Sequence, residues 1–306
     1  MTAGRRAVLL LIVVVLAWGL TWPVNKVLLQ NLSPLWMAAL RSAIATVALF
    51  ALALATGRLV RPPRADLPVL VSITLLHMVG FVVLSSIGLQ LVPTGRSVVL
   101  AYTTPLWVSP AAHVFLGERL TARKGIGVAA GIAGLLVLFN PFTFDWGDRT
   151  AVVGNLAILA AAALWAASIV HIRGHRWRST PFALVPWETL LATALLAPIA
   201  AALSPLPDAA WDAALVALLL YSSVVGTALA YWAIAMASRD LPAVTTSLGL
   251  LATPVVSVIV ATLWLGEAVT LPLVAAVVLV LGGVALGATG DTTRRAPADE
   301  APRAGA

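Results

Sequence analysis

The sequence contains one long stretch twice. Residues 92–121 read VPTGRSVVLAYTTPLWVSPAAHVFLGERLT, and residues 241–270 read LPAVTTSLGLLATPVVSVIVATLWLGEAVT. Each copy is an apolar run long enough to cross a bilayer. The two stretches therefore predict the same membrane helix in two halves of a duplicated protein. Aligned without gaps, they match at Pro93 and Pro242, Pro105 and Pro254, Gly117-Glu118 and Gly266-Glu267, and Thr121 and Thr270.

The overall composition is that of a protein embedded in lipid. The chain has 306 residues, of which 61% are hydrophobic and 10% charged, and its mean hydropathy is +1.00. A water-soluble domain has no place for so much apolar surface. The absence of cysteine excludes disulfides and thiolate metal sites. The positive charges are dispersed between apolar runs, which argues against a nucleic-acid partner and for a role in membrane orientation.

Ten apolar runs are long enough to span a bilayer. We therefore expect an all-α integral membrane protein with ten transmembrane helices, at roughly 20 residues per span. The runs lie at about 7–28, 35–55, 67–89, 95–116, 122–139, 151–170, 182–203, 213–235, 243–265 and 271–288.

The basic residues predict the orientation of these helices. Fifteen of the nineteen lysines and arginines fall on one side, the side of both termini. By the positive-inside rule both termini are cytoplasmic, in a multi-pass protein of the plasma membrane, which is the inner membrane of a bacterium. The loop after the first Gly-Glu carries Arg119, Arg123 and Lys124, whereas the loop after the second carries no base. The two halves are therefore predicted to be inverted repeats.

The repeat defines the expected domains. Residues 1–147 form the first five-helix repeat, 148–290 the second, inverted one, and 291–306 a disordered cytoplasmic tail. At a constant offset Trp18 corresponds to Trp165, whereas the third and eighth helices align poorly. Inverted repeats allow alternating access to a site at their interface.

Three motifs resemble a known family. The segment WGLTWPVNK at 18–26 resembles the W-G-x-x-[F/W]-x-x-x-K opening of EamA-type members of the drug/metabolite transporter superfamily, and the P-x12-E stretches at 105–118 and 254–267 match that family's signature. The resemblance covers residues 7 to 288. It implies ten helices, cytoplasmic termini and export of small metabolites; the tryptophan-rich helices look most like those of aromatic amino acid exporters. The sixth helix departs from the pattern, because Trp165 is followed by Ala166 and no lysine stands at the later position.

Two charged residues within predicted spans are candidates for substrate binding. A charge at membrane depth costs several kcal/mol unless it is paired or hydrated, so Arg41 and its repeat counterpart Glu188 are not expected to face lipid. They either form a charged pair in a cavity or make separate contacts to the carboxylate and ammonium of a zwitterion. The alternative is that each lies near a helix end and reaches the headgroups.

The other candidates are aromatic residues, a histidine and two prolines. A membrane histidine donates hydrogen bonds or relays protons, and deep aromatic rings form pockets for flat organic molecules; both also serve in helix packing. Pro105 and Pro254 each interrupt a helix and are either gates or static kinks. The residues proposed to bind substrate alongside Arg41 and Glu188 are Trp18, His77, Tyr102, Trp107 and Trp165.

No catalytic motif is present. The sequence has no nucleotide loop, no paired-histidine metal motif and no nucleophile elbow, so we expect no catalytic residue, metal, cofactor or ATPase subunit. The expected partners are a small-molecule substrate and membrane lipid, for a monomer, with a dimer left open. The alternatives are a sugar or nucleotide-sugar carrier and a membrane-embedded enzyme that modifies lipid. With one carboxylate deep in the bundle, movement down a substrate gradient is expected rather than tight proton coupling.

Overall fold

A computed structural model describes residues 3–139, 145–241 and 243–289. The predicted tail at 291–306 lies outside these residues. Throughout the described part of the chain the regular structure is helical, and ten helices are long and apolar enough to cross a membrane. The all-α class and the ten spans are confirmed, and the protein is a multi-pass membrane protein.

The ten spanning helices are named α1 to α10 in chain order, and several consist of segments. They are α1 Ala3–Leu28, α2 Pro34–Ala55, α3 Arg64–Asp66 continued by Leu67–Ser72, Ile73–Phe81 and Val82–Leu91, α4 Thr94–Ala101 and Thr104–Leu116, α5 Ala122–Phe139, α6 Arg149–Gly174, α7 Pro181–Leu203, α8 Ala213–Leu220 continued by Tyr221–Leu229 and Ala230–Asp240, α9 Ala243–Leu250 and Ala252–Leu265, and α10 Leu271–Thr289.

The repeated prolines coincide with breaks in α4 and α9. The second segment of α4 begins at Thr104 and that of α9 at Ala252, so each proline lies in a first turn, where its missing amide costs least. Pro105 leaves the carbonyl of Ala101 without its usual amide donor, and the Thr104 hydroxyl donates to that carbonyl at 2.7 Å instead. In α4 a neighbouring hydroxyl therefore replaces the missing amide donor.

The same two helices end in the same way. Gly117 and Gly266 have φ angles of 67° and 69°, the left-handed conformation that glycine adopts without steric cost. The following amides turn back onto the helix, as Glu118 does onto the carbonyl of Ala112. Glycine thus ends each helix and sets the direction in which the next residue, a glutamate, leaves it.

Helices α3 and α8 each contain a nine-residue π-helical segment, Ile73–Phe81 in one and Tyr221–Leu229 in the other. The wider turn of a π-helix leaves carbonyls misaligned and is frequent at functional sites. These are the two helices whose sequences align poorly. The two helices therefore share a π-helical backbone segment although their amino-acid sequences align poorly.

Many helix contacts join the first five helices to the last five, and two of them are between helices at corresponding positions of the halves, α2 with α7 and α5 with α10. Between α2 and α7 the hydroxyls of Thr46 and Thr193, which occupy corresponding positions, lie 3.3 Å apart. Helices α5 and α10 pack so closely that a Cβ on Gly127 or Gly283 would strike the other glycine's carbonyl. Gly127 and Gly283 therefore serve close packing of two helices within the chain.

Candidate substrate-binding site

A cavity of about 410 Å³ lies among helices α1 to α4 and α6 to α8. Its volume is in the range of pockets that hold small organic molecules. The π-helical segments of α3 and α8 both line it, through His77 and Thr227 among others. The cavity is therefore built from both halves of the chain.

One wall of the cavity is aromatic. The rings of His77 and Trp165 are stacked in parallel, with centroids 5.2 Å apart and an angle of 6° between their planes. Phe81 packs against Trp165 at 5.0 Å, and Tyr231 lies edge-on to Trp18 at 6.1 Å. Such a wall offers flat π-surfaces with the indole, imidazole and phenol groups as polar edges.

Arg41 is held in the cavity by a residue of the other half. Its Nε donates a hydrogen bond of 3.0 Å to the Thr227 hydroxyl, which donates at 3.0 Å to the Ser222 carbonyl within the π-helical segment of α8. Among the described residues, the two terminal amino groups of Arg41 have no hydrogen-bond or ion-pair partner. The guanidinium is thus positioned by one nitrogen and can donate from the other two.

Glu188 supplies the opposite charge on α7. Its side chain lines the same cavity, and the residue is only 3% exposed. Within the described ranges its carboxylate neither accepts a hydrogen bond nor pairs with Arg41. Burial of an ionised carboxylate is costly unless a cation or donors reach it. The cavity thus presents a cationic and an anionic group separately, an arrangement that can take one charged group of a substrate at each.

The cavity is closed at one end and open at the other. Away from the face where α1 begins, an apolar cluster formed by the ends of α1, α2, α3 and α8 seals it, with Leu28, Met37 and Leu89 at 2% exposure or less. At the face where α1 begins, which we call the N-terminal face, the lining reaches the exposed Ser238. The described conformation is open toward the N-terminal face.

The packing of α4 and α9 agrees with this asymmetry. The α4 segment Thr94–Ala101 lies in the half away from the N-terminal face and packs against the α9 segment Ala252–Leu265. The other α4 segment, Thr104–Leu116, packs instead against α5 and α6. The two broken helices therefore meet in the closed half of the molecule.

The structure brings six of the seven residues proposed to bind substrate into one cavity, and Trp107 is not among its lining residues. Trp107 is 42% exposed on the surface of α4, where its indole nitrogen donates to Thr103 at 3.3 Å. The proposed gate residues Pro105 and Pro254 do not line the cavity either. The six lining residues are Trp18, Arg41, His77, Tyr102, Trp165 and Glu188.

Several lining residues were not singled out as binding residues in the sequence. Asn25 accepts a hydrogen bond of 2.6 Å from Ser222, and Thr227 anchors Arg41. Phe81 and Tyr231 complete the aromatic wall. A sequence signal existed for Asn25 and Tyr231, which are polar or amphipathic residues within apolar runs. None existed for Thr227, whose position depends on a π-helical backbone that no sequence pattern predicted.

The comparison with known proteins agrees with the fold and the cavity. The sequence profile of the EamA-like transporter family matches residues 5–140 and again residues 152–289. These two matches cover most of the chain, one in each half. The chain belongs to the EamA-like transporter family, and it is a transporter rather than an enzyme.

Individual relatives extend over nearly the whole chain. A probable terminal-alkyne amino-acid exporter of Streptantibioticus cattleyicolor is 32% identical over 86% of each chain. A probable amino-acid metabolite efflux pump of Salmonella typhimurium is 30% identical, over 95% of this chain and 98% of its own. One crystal structure superposes with a TM-score of 0.64 at 25% identity and covers 92% of this chain and 95% of that one.

Proposed function

We propose that the protein exports amino acids, including aromatic ones, by alternating access between two inverted five-helix repeats. The observation that carries the proposal is that Arg41 and Glu188 face one cavity without bonding each other. Two opposite charges left separate in an apolar bundle are expensive, and a zwitterion relieves both at once. The substrate carboxylate binds the terminal nitrogens of Arg41, and its ammonium binds Glu188.

The aromatic wall accounts for the side-chain preference. Trp165 and His77 present a flat stacked surface beside the charged groups, and rings prefer offset or edge-on contact with such surfaces. A cavity of about 410 Å³ accommodates an aromatic amino acid. Two relatives that are probable exporters of amino acids or their metabolites support the same substrate class.

The charge distribution assigns the face at which the cavity opens. The N-terminal face carries most of the basic loop residues and is therefore assigned to the cytoplasm of the plasma membrane, the inner membrane in a bacterium. The cavity that opens at this face then receives cytoplasmic substrate. A nucleotide-sugar carrier fits less well, because Arg41 is the one arginine or lysine among the cavity-lining residues of the described ranges, and a nucleotide sugar carries several negative charges.

The proposal is tested by binding of three matched ligands to purified protein in detergent. L-phenylalanine carries both charges, phenethylamine lacks the carboxylate and 3-phenylpropionate lacks the ammonium. We expect L-phenylalanine to bind at least ~10-fold more tightly than either, since a charge-assisted hydrogen bond is worth about 1.5–3 kcal/mol.

Two variants assign the contacts. Arg41→Gln removes the preference over phenethylamine, and Glu188→Gln removes the preference over 3-phenylpropionate. Arg58→Gln, at an exposed position away from this cavity, is the matched control and leaves all three affinities unchanged. Equal binding of the three ligands by the unaltered protein contradicts the proposal. So does loss of both preferences in the Arg58 variant.

A further inference from the structure

Glu267 joins the end of α9 to the start of α4. One oxygen of its carboxylate accepts a hydrogen bond of 2.7 Å from the amide of Thr94, and the other accepts one of 3.0 Å from the amide of Gly95. These amides are at the first turn of a helix, where no intrahelical acceptor exists. The contact lies in the closed half of the molecule and ties α9 to the α3–α4 turn.

Lys26 holds the other side of the same turn from α1. Its ammonium donates to the carbonyls of Leu89 and Val92, at 2.6 and 2.9 Å, where α3 ends. These carbonyls lack helical donors, and a cation is favourable at a helix C-terminus. We call this arrangement, in which a base and an acid bind the two ends of one turn, the clasp.

The corresponding residues of the other half are bonded differently. At the same offsets that align the repeats, Arg173 corresponds to Lys26 and Glu118 to Glu267. Arg173 and Glu118 bind each other directly, with 2.7 Å between guanidinium nitrogen and carboxylate oxygen, and Lys124 lies 3.7 Å from the same carboxylate. At the N-terminal face the acid and the base are therefore paired with one another, and this is the face at which the cavity is open.

We propose that the two sets exchange roles in the transport cycle. When the face opposite the N-terminal face, which we call the far face, opens, Arg173 and Glu118 clasp the α8–α9 turn. In the same conformation Lys26 and Glu267 release the α3–α4 turn and pair with each other. Glu118 then accepts from the first amides of α9, beginning with Ala243, and Arg173 donates to carbonyls where α8 ends, such as that of Leu241, the residue after the helix. This inference rests on the alternating access proposed above and assigns positioning residues to it.

The energetics of the exchange are balanced. Each conformation contains one clasp and one exposed acid-base pair, so the gain at one face offsets the loss at the other. A carboxylate that caps a helix start stabilises a structure more than an exposed ion pair does. Glu118 and Arg173 are 29% and 41% exposed in their side chains, which places their pair in the weak class. Loss of Glu267 therefore disfavours the described conformation, and loss of Glu118 disfavours the other one.

The test uses the absence of cysteine from the chain. Ser85, which lines the cavity in its closed half and is 8% exposed, is replaced by cysteine in the otherwise unaltered protein. Its labelling by a membrane-impermeant maleimide is measured from each side, in right-side-out and inverted vesicles without substrate. Labelling from the far face reports opening of that face, independently of what the protein transports.

Glu267→Gln is expected to raise labelling of Ser85→Cys from the far face by roughly fivefold, the effect of one lost helix cap. Glu118→Gln is expected to lower it by a similar factor. The matched control is Asp212→Asn, which removes a carboxylate that caps α8 at the far face through a 2.8 Å bond to the amide of Leu215. Asp212 does not touch the clasp, so labelling in this variant stays unchanged.

The proposal is overturned if labelling from the far face changes in the same direction in the Glu267 and Glu118 variants. It is also overturned if labelling changes in neither variant. If Glu267→Gln is not recovered as folded protein, the sign in Glu118→Gln decides, because its exposed position carries little of the stability. If the unaltered protein does not bind amino acids but the Glu267 and Glu118 variants change labelling as expected, the proposed substrate is rejected and the clasp is supported.

Discussion

The hydroxyl of Ser42 donates a 3.0 Å hydrogen bond to the carbonyl of Thr189, the residue at the corresponding position of the second half. Four residues further on, Thr193 donates to Ser42 at 3.1 Å and lies beside its own counterpart Thr46. Contacts between corresponding residues are what a two-fold relation between the proposed inverted repeats predicts. The cavity residues Arg41 and Glu188 directly precede Ser42 and Thr189, so these contacts lie beside the site.

These hydroxyl contacts are expected to stabilise the α2–α7 interface modestly. Thr193→Val keeps the shape of the side chain but removes its bonds to Ser42 and Thr46. We expect a loss of roughly 0.6 kcal/mol for each interhelical bond, visible as a lower midpoint of thermal unfolding in detergent. Thr56→Val is the control, because the Thr56 hydroxyl bonds only within its own helix at an exposed end. An equal loss in both variants contradicts the role of the interface.

Two tryptophans occupy different environments, one in the cavity wall and one on a helix surface. Trp165 stacks on His77 inside the cavity, whereas Trp107 is on the outside of α4. Trp165→Ala is expected to weaken binding of aromatic amino acids by ~0.5–1.5 kcal/mol more than binding of alanine, because the stacking surface is lost. Trp107→Ala is expected to leave both affinities unchanged. The measurement is equilibrium binding of L-tryptophan and L-alanine, and a loss confined to the Trp107 variant would place the site elsewhere.

The inverted topology is tested with single cysteines in this cysteine-free chain. Positions near Arg61, Lys124 and Arg176 are expected to be labelled from the cytoplasm, and those near Asp208 and Thr270 from outside, because the basic loops remain on the cytoplasmic side. Labelling with an impermeant reagent in oriented vesicles gives the answer directly. Lys124 and Thr270 on the same side would falsify the inverted repeat.

The repeated prolines are predicted to allow the movement of α4 and α9. Pro105→Ala and Pro254→Ala restore a helical amide and stiffen the break in one helix each. We expect both variants to bind substrate normally, to transport it several-fold more slowly and to rest in opposite-facing conformations, measured by binding, by uptake into proteoliposomes and by cysteine labelling. Normal transport rates in both variants mean that the prolines only shape the helices.

Transport is predicted to run down the substrate gradient. Glu188 is the single carboxylate among the cavity-lining residues of the described ranges, and the site proposed above uses it for the substrate ammonium. Uptake into proteoliposomes is therefore expected to proceed without a pH gradient. Accumulation against the substrate gradient when a pH gradient is imposed contradicts this prediction. Glu188→Gln then shows whether this carboxylate is the coupling group.

The positions of the helices were predictable because each has to satisfy the same strong constraint. An apolar run in lipid must satisfy its own backbone hydrogen bonds, so length and hydropathy alone locate it. The repeated prolines Pro105 and Pro254 pointed to the helix breaks, but proline alone does not mark one, since Pro186 lies inside the uninterrupted helix α7. The π-helical segments were not predictable, because Ile73–Phe81 and Tyr221–Leu229 differ in sequence and share only a backbone conformation.

The order of residues along the chain was enough to predict the membrane class, the ten helices, the duplication and most of the charged and aromatic candidates. Which of these candidates face one another depends on how the helices pack. Trp107 and Trp165 are equally deep in apolar runs, and their different faces follow from how α4 and α6 pack. Lys26, near the end of α1, binds the end of α3, and the buried Asp66 accepts a hydrogen bond of 2.7 Å from Ser179 of the α6–α7 loop. Burial and helix ends depend on three-dimensional contacts between distant segments, whereas hydropathy is a property of each segment alone.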